Sequence, residues 1–127
     1  MRYPVLAVVA VATGCLGILD AELTVPPNAE RNDPPGLYAA WYAQTEACTG
    51  VTGDFNRVRW FKVPGERWWD PLFQQYVVGT WRRPHDIYIV EAHASNVDVV
   101  KHEAVHDLLQ GGAPDDPRFG QCSGIVH

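Results

Sequence analysis

The sequence is poor in basic residues. Ten Lys and Arg stand against fifteen Asp and Glu, which gives a net charge of −5 over 127 residues. Because the basic residues are scattered, we expect no nucleic-acid partner. The sequence also contains no internal repeat, no glycine-rich phosphate loop and no plausible Ser/His/Asp order for a catalytic triad. The length allows one domain. Its function must depend on residues outside these excluded patterns.

The N-terminus is typical of an exported bacterial protein. Arg2 supplies a positive charge, Val5–Ala12 forms a short apolar core, and small residues come before Cys15. The stretch Ala12-Thr13-Gly14-Cys15 resembles the lipoprotein signal, whose cysteine becomes the lipidated first residue of the mature protein. The alternative is an uncleaved anchor, although Tyr3–Leu19 is only marginally long enough to span a bilayer. Either way, we expect a membrane-attached protein whose folded part is extracytoplasmic.

These features divide the chain into a signal peptide at residues 1–14, a tether at 15–33 and a folded domain at 34–127. The tether is rich in proline and asparagine and has no hydrophobic period. A domain of this size is marginal with a hydrophobic core alone, so a metal ion or a disulfide would help it to fold.

Cysteine is scarce, with only three residues in the chain. If Cys15 carries lipid, Cys48 and Cys122 are an even pair in an oxidising compartment, and we predict a disulfide between them. The alternatives are two unrelated thiols, or Cys122 as a zinc ligand.

The folded domain is predicted to be α+β, with a sheet of three or slightly more strands between an N-terminal helix and a later helix. Asp33 and Pro34 are expected to begin the first helix. Arg57 and Arg59 should lie on a solvated strand face. The aromatic residues of Arg67–Gln75 should pack over the sheet or, as the alternative, line a substrate cleft. The predicted elements, in chain order, are helix Leu37–Ala47, strand Phe55–Val63, loop Arg67–Gln75, an antiparallel hairpin of Tyr76–Trp81 and Asp86–Ala92, and helix Val97–Gln110.

The last of these helices contains the sequence His102-Glu103-Ala104-Val105-His106. Residues four apart lie on one face of a helix, so His102 and His106 can share one zinc ion. Glu103 lies close enough to meet a metal-bound water as general base. Ser95 or Asn96 can cap the helix, and the two glycines after Gln110 can end it. Two buried core histidines are the alternative to a zinc site.

This motif resembles the zincin metallopeptidases, in which a sheet packs over the H-E-x-x-H helix and an edge strand holds the peptide. The order of strand Asp86–Ala92 and then the motif helix is similar to that layout. Metzincins have a glycine and a third histidine after the motif, where this chain has Leu109 and Gly112. The resemblance implies hydrolysis of a peptide bond, with zinc as cofactor and Glu103 as base.

The resemblance also implies a third zinc ligand and a group that stabilises the oxyanion. For the ligand we expect Asp116, with Asp115 and His127 as alternatives, although Asp116 could instead cap a turn that starts at Pro117. For the oxyanion, the candidates by chemistry are Tyr88, His93 and His85. The sequence thus predicts a membrane-tethered zinc peptidase; the alternative is a non-catalytic zinc-binding lipoprotein that acts as a binding or structural module.

Overall fold

A computed structural model describes residues 25–113 and 115–125. The predicted signal peptide, Cys15 and His127 lie outside these residues. The described chain is an α+β domain with three helices and two small sheets, as the sequence predicts in its broad class. None of its helices is long and apolar enough to cross a membrane, as judged over the described residues. The elements are β1 (Glu30–Arg31), α1 (Gly36–Thr49), β2 (Arg59–Val63), β3 (Trp68–Asp70), β4 (Gln75–Val77), β5 (Gly79–Arg82), β6 (Asp86–Val90), α2 (Val97–Leu109) and α3 (Pro117–Ser123).

The larger sheet has the strand order β1-β2-β6-β5. Strand β6 pairs in parallel with β2 and antiparallel with β5, so the predicted β5–β6 hairpin is confirmed. All five residues of β6 are buried. Alternate side chains of β6 explain this burial, because Ile87 and Ile89 join the cluster with α1 and α2, while Tyr88 and Val90 join a second cluster on the other face. The centre of the domain is therefore a strand covered on both sides.

The N-terminal part of the domain differs from the sequence prediction at two places. Residues 30–31, assigned to the tether, form β1 and pair with β2, so the folded unit begins before Pro34. Helix α1 has Pro35 at its N-cap and no side-chain cap, which corrects the assignment of Asp33 as the capping residue.

The first predicted long strand is shorter than expected. Phe55–Arg57 forms a turn of 3₁₀ helix because the side chain of Asp54 accepts a hydrogen bond from the Asn56 N–H, and β2 begins only at Arg59. The burial pattern is as predicted: Val58 is buried, while Arg57 and Arg59 are exposed.

The segment Arg67–Gln75 was predicted to be a loop with packed aromatics, which is wrong in two respects. Strands β3 and β4 form a two-stranded antiparallel sheet. Trp68 does pack against the sheet, but Trp69 and Phe73 are exposed; Phe73 instead lines a cleft, which was the alternative. The error arose because the exposed side chains of this hairpin are as apolar as core residues.

A disulfide between Cys48 of α1 and Cys122 of α3 is present, with Cα atoms 5.6 Å apart, which confirms that prediction. Cys122 also belongs to a small buried cluster with Val105 and Phe119. The bridge and this cluster therefore fasten α3 to both of the longer helices.

Candidate metal centre and active site

His102, Glu103 and His106 line one open cleft of about 1090 Å³. Strand β5 forms another wall of the cleft, since each of its four residues, Gly79 to Arg82, contributes to the lining. The tip of the β3–β4 hairpin contributes Leu72 and Phe73. The motif thus lies beside an edge strand rather than in the closed core, which is where a metal ion and a substrate could meet.

Helix α2 holds the motif between two well-defined ends. The Asn96 side chain accepts hydrogen bonds from the backbone N–H groups of Asp98 and Val99, so Asn96 is the N-cap. At the other end Gln110 is left-handed (φ 53°) and Gly111 also has positive φ. Gly112 is needed for a close approach, because a Cβ there would lie 2.8 Å from the Phe119 ring. The double glycine therefore lets the turn pack against a ring that also contacts both histidines.

The turn fixes the protonation of His106. Its Nδ1 is hydrogen-bonded to the backbone carbonyl of Gly111, which can only accept. A proton therefore lies on Nδ1, so in the neutral imidazole Nε2 is the nitrogen that is available to a metal. Metal-binding histidines usually make this kind of second hydrogen bond, because it selects the tautomer and orients the ring.

The two imidazoles have the spacing of a shared metal site. The ring centroids of His102 and His106 are 5.0 Å apart and the rings are nearly perpendicular, at 77°. Two imidazoles on one tetrahedral zinc, with Zn–N distances of about 2.0–2.1 Å, would have ring centres roughly 5 Å apart. Phe119 packs on both rings, with centroid distances of 5.0 and 4.5 Å, and Trp81 stacks on His106 at 6.4 Å. The spacing of the two rings is therefore compatible with a shared metal ion.

Glu103 projects toward β5 and is almost fully buried, at 5% exposure. Burial raises the pKa of its carboxyl to about 8, and the positive charge of Arg82 partly opposes this shift. Gly79 provides the necessary space, because a Cβ there would lie 3.1 Å from both Cγ and Oε2 of Glu103. Gly79 and Arg82 were not predicted as site residues, although a glycine within a strand pattern is a signal for a close approach.

Asp107, which directly follows the motif, is a buried hub that the sequence analysis missed. It is 3% exposed. Its carboxylate accepts hydrogen bonds from the Tyr42 hydroxyl at 2.8 Å and the Trp81 indole N–H at 3.1 Å, and it contacts His85 Nδ1 at 2.9 Å. Through Trp81 it positions the ring that stacks on His106. An acid placed next to a metal-ligand candidate was the available signal for this supporting role.

We expect Asp107→Ala to lower the free energy of unfolding by about 2–3 kcal/mol, because buried polar partners would lose their acceptor. Urea denaturation monitored by circular dichroism measures the change. Asp33→Ala is the matched control: Asp33 is exposed and does not cap α1, so its loss should change stability by less than about 0.5 kcal/mol. Equal effects of the two substitutions would contradict the role of Asp107 as a hub.

The structure does not bring Asp116 to the two histidines. The Asp116 carboxylate caps α3 by accepting from the Arg118 N–H at 3.0 Å, and it pairs with the Arg118 guanidinium at 2.7 Å. These hydrogen bonds lower the pKa of Asp116 to about 2. Over residues 25–113 and 115–125, no three His, Cys, Asp or Glu side chains form a metal-binding group. The alternative, in which Asp116 caps a turn starting at Pro117, is the arrangement observed.

The three candidates for oxyanion stabilisation lie in different surroundings. Tyr88 lines the cleft, and burial raises the pKa of its hydroxyl, which therefore stays protonated. His85 is held by Asp107, and His93 is in a 3₁₀ turn beside Asn96. Neither histidine is among the residues that line the cleft.

Comparison with known proteins gives no family assignment: no protein-family model, no curated protein and no solved structure matches this chain.

Proposed function

We propose that this protein is a membrane-tethered, extracytoplasmic zinc peptidase of the zincin type. The observation that supports this most directly is the position of His102, Glu103 and His106 in one cleft beside an edge strand. A buried acid next to two metal-ligand candidates has a use in hydrolysis but none in a purely structural zinc site. The zincin resemblance of the motif gives the same function.

The edge strand can bind the peptide. Strand β5 pairs with β6 on one side, and no described strand pairs with its other side. An extended peptide could therefore add to β5 through backbone hydrogen bonds, with its side chains in the cleft. In the layout that the resemblance implies, Asp86–Ala92 would be the strand beside the motif helix that holds the peptide. In the structure β6 is internal, and β5 is the edge strand.

In the proposed reaction, the two histidines and Glu103 have different roles. Zinc held by His102 and His106 would polarise the scissile carbonyl and lower the pKa of a bound water. In its deprotonated form, Glu103 would accept a proton from the attacking water and would deliver it to the leaving amine. A group that donates to the developing oxyanion is also needed. Tyr88 lines the cleft, but it belongs to the cluster on the sheet face away from α2, so we assign it no such role.

A catalytic zinc needs a third protein ligand. Because Asp116 is bound to Arg118, the candidates are the two alternatives from the sequence, Asp115 and His127. Either Asp115→Ala or deletion of His127 should then weaken zinc binding, whereas Asp116→Ala should not. The reverse result would restore Asp116 as the ligand.

Metal analysis and a peptide digest of the purified full chain test this function. We expect one zinc per chain and cleavage of a fluorogenic peptide library that stops when a chelator is added. His102→Ala and His106→Ala should lose both zinc and cleavage. His93→Ala is the matched control, because His93 lies outside the cleft, and it should keep both. Zinc binding without any cleavage would favour the non-catalytic lipoprotein instead.

A further inference from the structure

The β3–β4 hairpin carries an unusual amount of exposed apolar surface. The described residues include five exposed large apolar side chains, and four of them lie within this hairpin. Their exposed fractions are 48% for Trp69, 58% for Leu72, 62% for Phe73 and 54% for Tyr76; the fifth is Leu37 on α1. We call these four hairpin residues the apolar face. Contiguous apolar surface of this kind typically marks a contact site.

The apolar face is held in place by specific contacts. Trp69 and Tyr76 are cross-strand partners whose rings meet edge to face at 5.1 Å. At the tip, the Leu72 N–H donates to the buried Asp70 carboxylate at 2.9 Å, and Asp70 pairs with Arg82 at 3.4 Å. The tip is therefore fixed to the domain by a buried ion pair. The folded domain therefore holds the tip in an exposed position.

The apolar face carries no exposed carboxylate of its own. The only acid among residues 68–77 is Asp70, which is 0% exposed. Just before β3, the exposed Glu66 and Arg67 contribute one charge of each sign. The guanidinium of Arg67 lies 3.7 Å from the Tyr76 ring centroid. Aromatic and aliphatic side chains with a cation beside them are typical of segments that lie in the membrane interface.

The expected lipid anchor lies a short way along the chain from the hairpin. Cys15, the residue predicted to carry lipid, is ten residues before Val25. Val25 packs in the same cluster as Trp68 of the hairpin and also lines the cleft. Ten extended residues reach at most about 35 Å. A lipid on Cys15 would therefore hold the hairpin within that distance of the bilayer.

We propose that the apolar face docks in the interface of the bilayer to which the N-terminus is attached. This inference rests on the membrane tether of the proposed function. Leu72 and Phe73 enter the acyl boundary, while Trp69 and Tyr76 lie at headgroup depth beside Arg67. Leu72 and Phe73 also line the cleft, so docking places the cleft entrance at the membrane surface.

The test uses the full chain in vesicles of phosphatidylcholine brominated on its acyl chains, which quench nearby tryptophan. We expect quenching in the parent protein and loss of most of it in Trp69→Phe. The double substitution Leu72→Ser, Phe73→Ser should also remove it. Leu37→Ser is the matched control, because Leu37 is equally exposed but lies on α1, and it should leave quenching unchanged.

Co-sedimentation with the vesicles is measured on the same samples, so that docking and tethering are separated. Parent protein that sediments without quenching would overturn docking and keep the tether. Parent protein that does not sediment would overturn both. Quenching that survives the double substitution would also overturn docking. Association of the chain in detergent that Phe73→Ser abolishes would assign the face to a second copy, which likewise overturns the proposal.

Discussion

Glu103→Gln is expected to reduce peptide hydrolysis by about 10²–10⁴-fold while zinc stays bound. Glutamine keeps the size of the side chain but cannot accept the proton of the attacking water. Glu103 is not one of the zinc ligands in this proposal, so the metal content should not change. Single-turnover cleavage and metal analysis of the same preparation measure both effects. Glu91→Gln, on the exposed 3₁₀ turn before α2, is the control and should behave like the parent.

The same substitution has a second expected effect, which separates lost catalysis from lost folding. In the metal-free protein the pKa of Glu103 is about 8 because of burial, against 4.5 for an ordinary glutamate. Between these values the folded state holds a proton that the unfolded state has released, so the free energy of unfolding falls as pH rises through this window. Above pH 8 the penalty is complete, at about 5 kcal/mol.

Glu103→Gln removes that penalty, since glutamine is neutral at every pH. We therefore expect the metal-free variant to be more stable than the parent at pH 9 and nearly equal at pH 4. Urea denaturation in the presence of a chelator at both pH values measures the difference. An inactive variant that is also less stable at pH 9 would contradict this account of Glu103.

Removing the disulfide is expected to cause the largest loss in the free energy of unfolding. The bridge joins residues separated by 74 positions. A closed loop of this length restricts the unfolded chain and contributes about 4 kcal/mol in the chain-entropy model. For a domain of this size, that is a shift in Tm of roughly 15–30 °C. Thermal unfolding of the Cys48→Ala, Cys122→Ala double variant checks it.

Reduction of the parent protein with a thiol provides the matched comparison. It breaks the same bridge without changing the packing volume of the buried Cys122 side chain. The reduced parent and the double variant should lose similar stability. If both melt within about 2 °C of the oxidised parent, the bridge does not support the fold to the extent that loop closure predicts.

Patterns with a strong physical cause were predictable from the sequence. The motif helix has an N-cap asparagine, a helical spacing of its histidines and two terminal glycines, and its bounds in the structure are Val97–Leu109. The prediction of the disulfide followed from the even number of cysteines that remain once Cys15 is assigned to lipid, in an oxidising compartment. The β5–β6 hairpin followed from the short link of four residues, although the strand before it is divided between β4 and β5.

Features that depend on tertiary contacts were not predictable. In the sequence, Asp107 resembles any polar helix residue. Its partners Tyr42 and Trp81 lie on α1 and β5, and only the folded chain places them beside it. The exposed Trp69 and Phe73 have the composition of a core, so hydrophobicity assigned them to the interior. Asp116 differs from these cases, because its role depends on a local contact. Its carboxylate is hydrogen-bonded to Arg118, two residues away.

The bridge between α1 and α3 also changes what a single cut in the chain can do. Every residue that lines the cleft, except Val25, lies between Cys48 and Cys122 and so belongs to one covalent ring. A nick by a neighbouring protease at the hairpin tip or in the turn after α2 would open the ring without releasing a fragment. Both pieces would stay joined through sulfur and held by the shared sheet. In the oxidising compartment expected for this protein, the cleft is thus built from a part of the chain that one cleavage cannot separate.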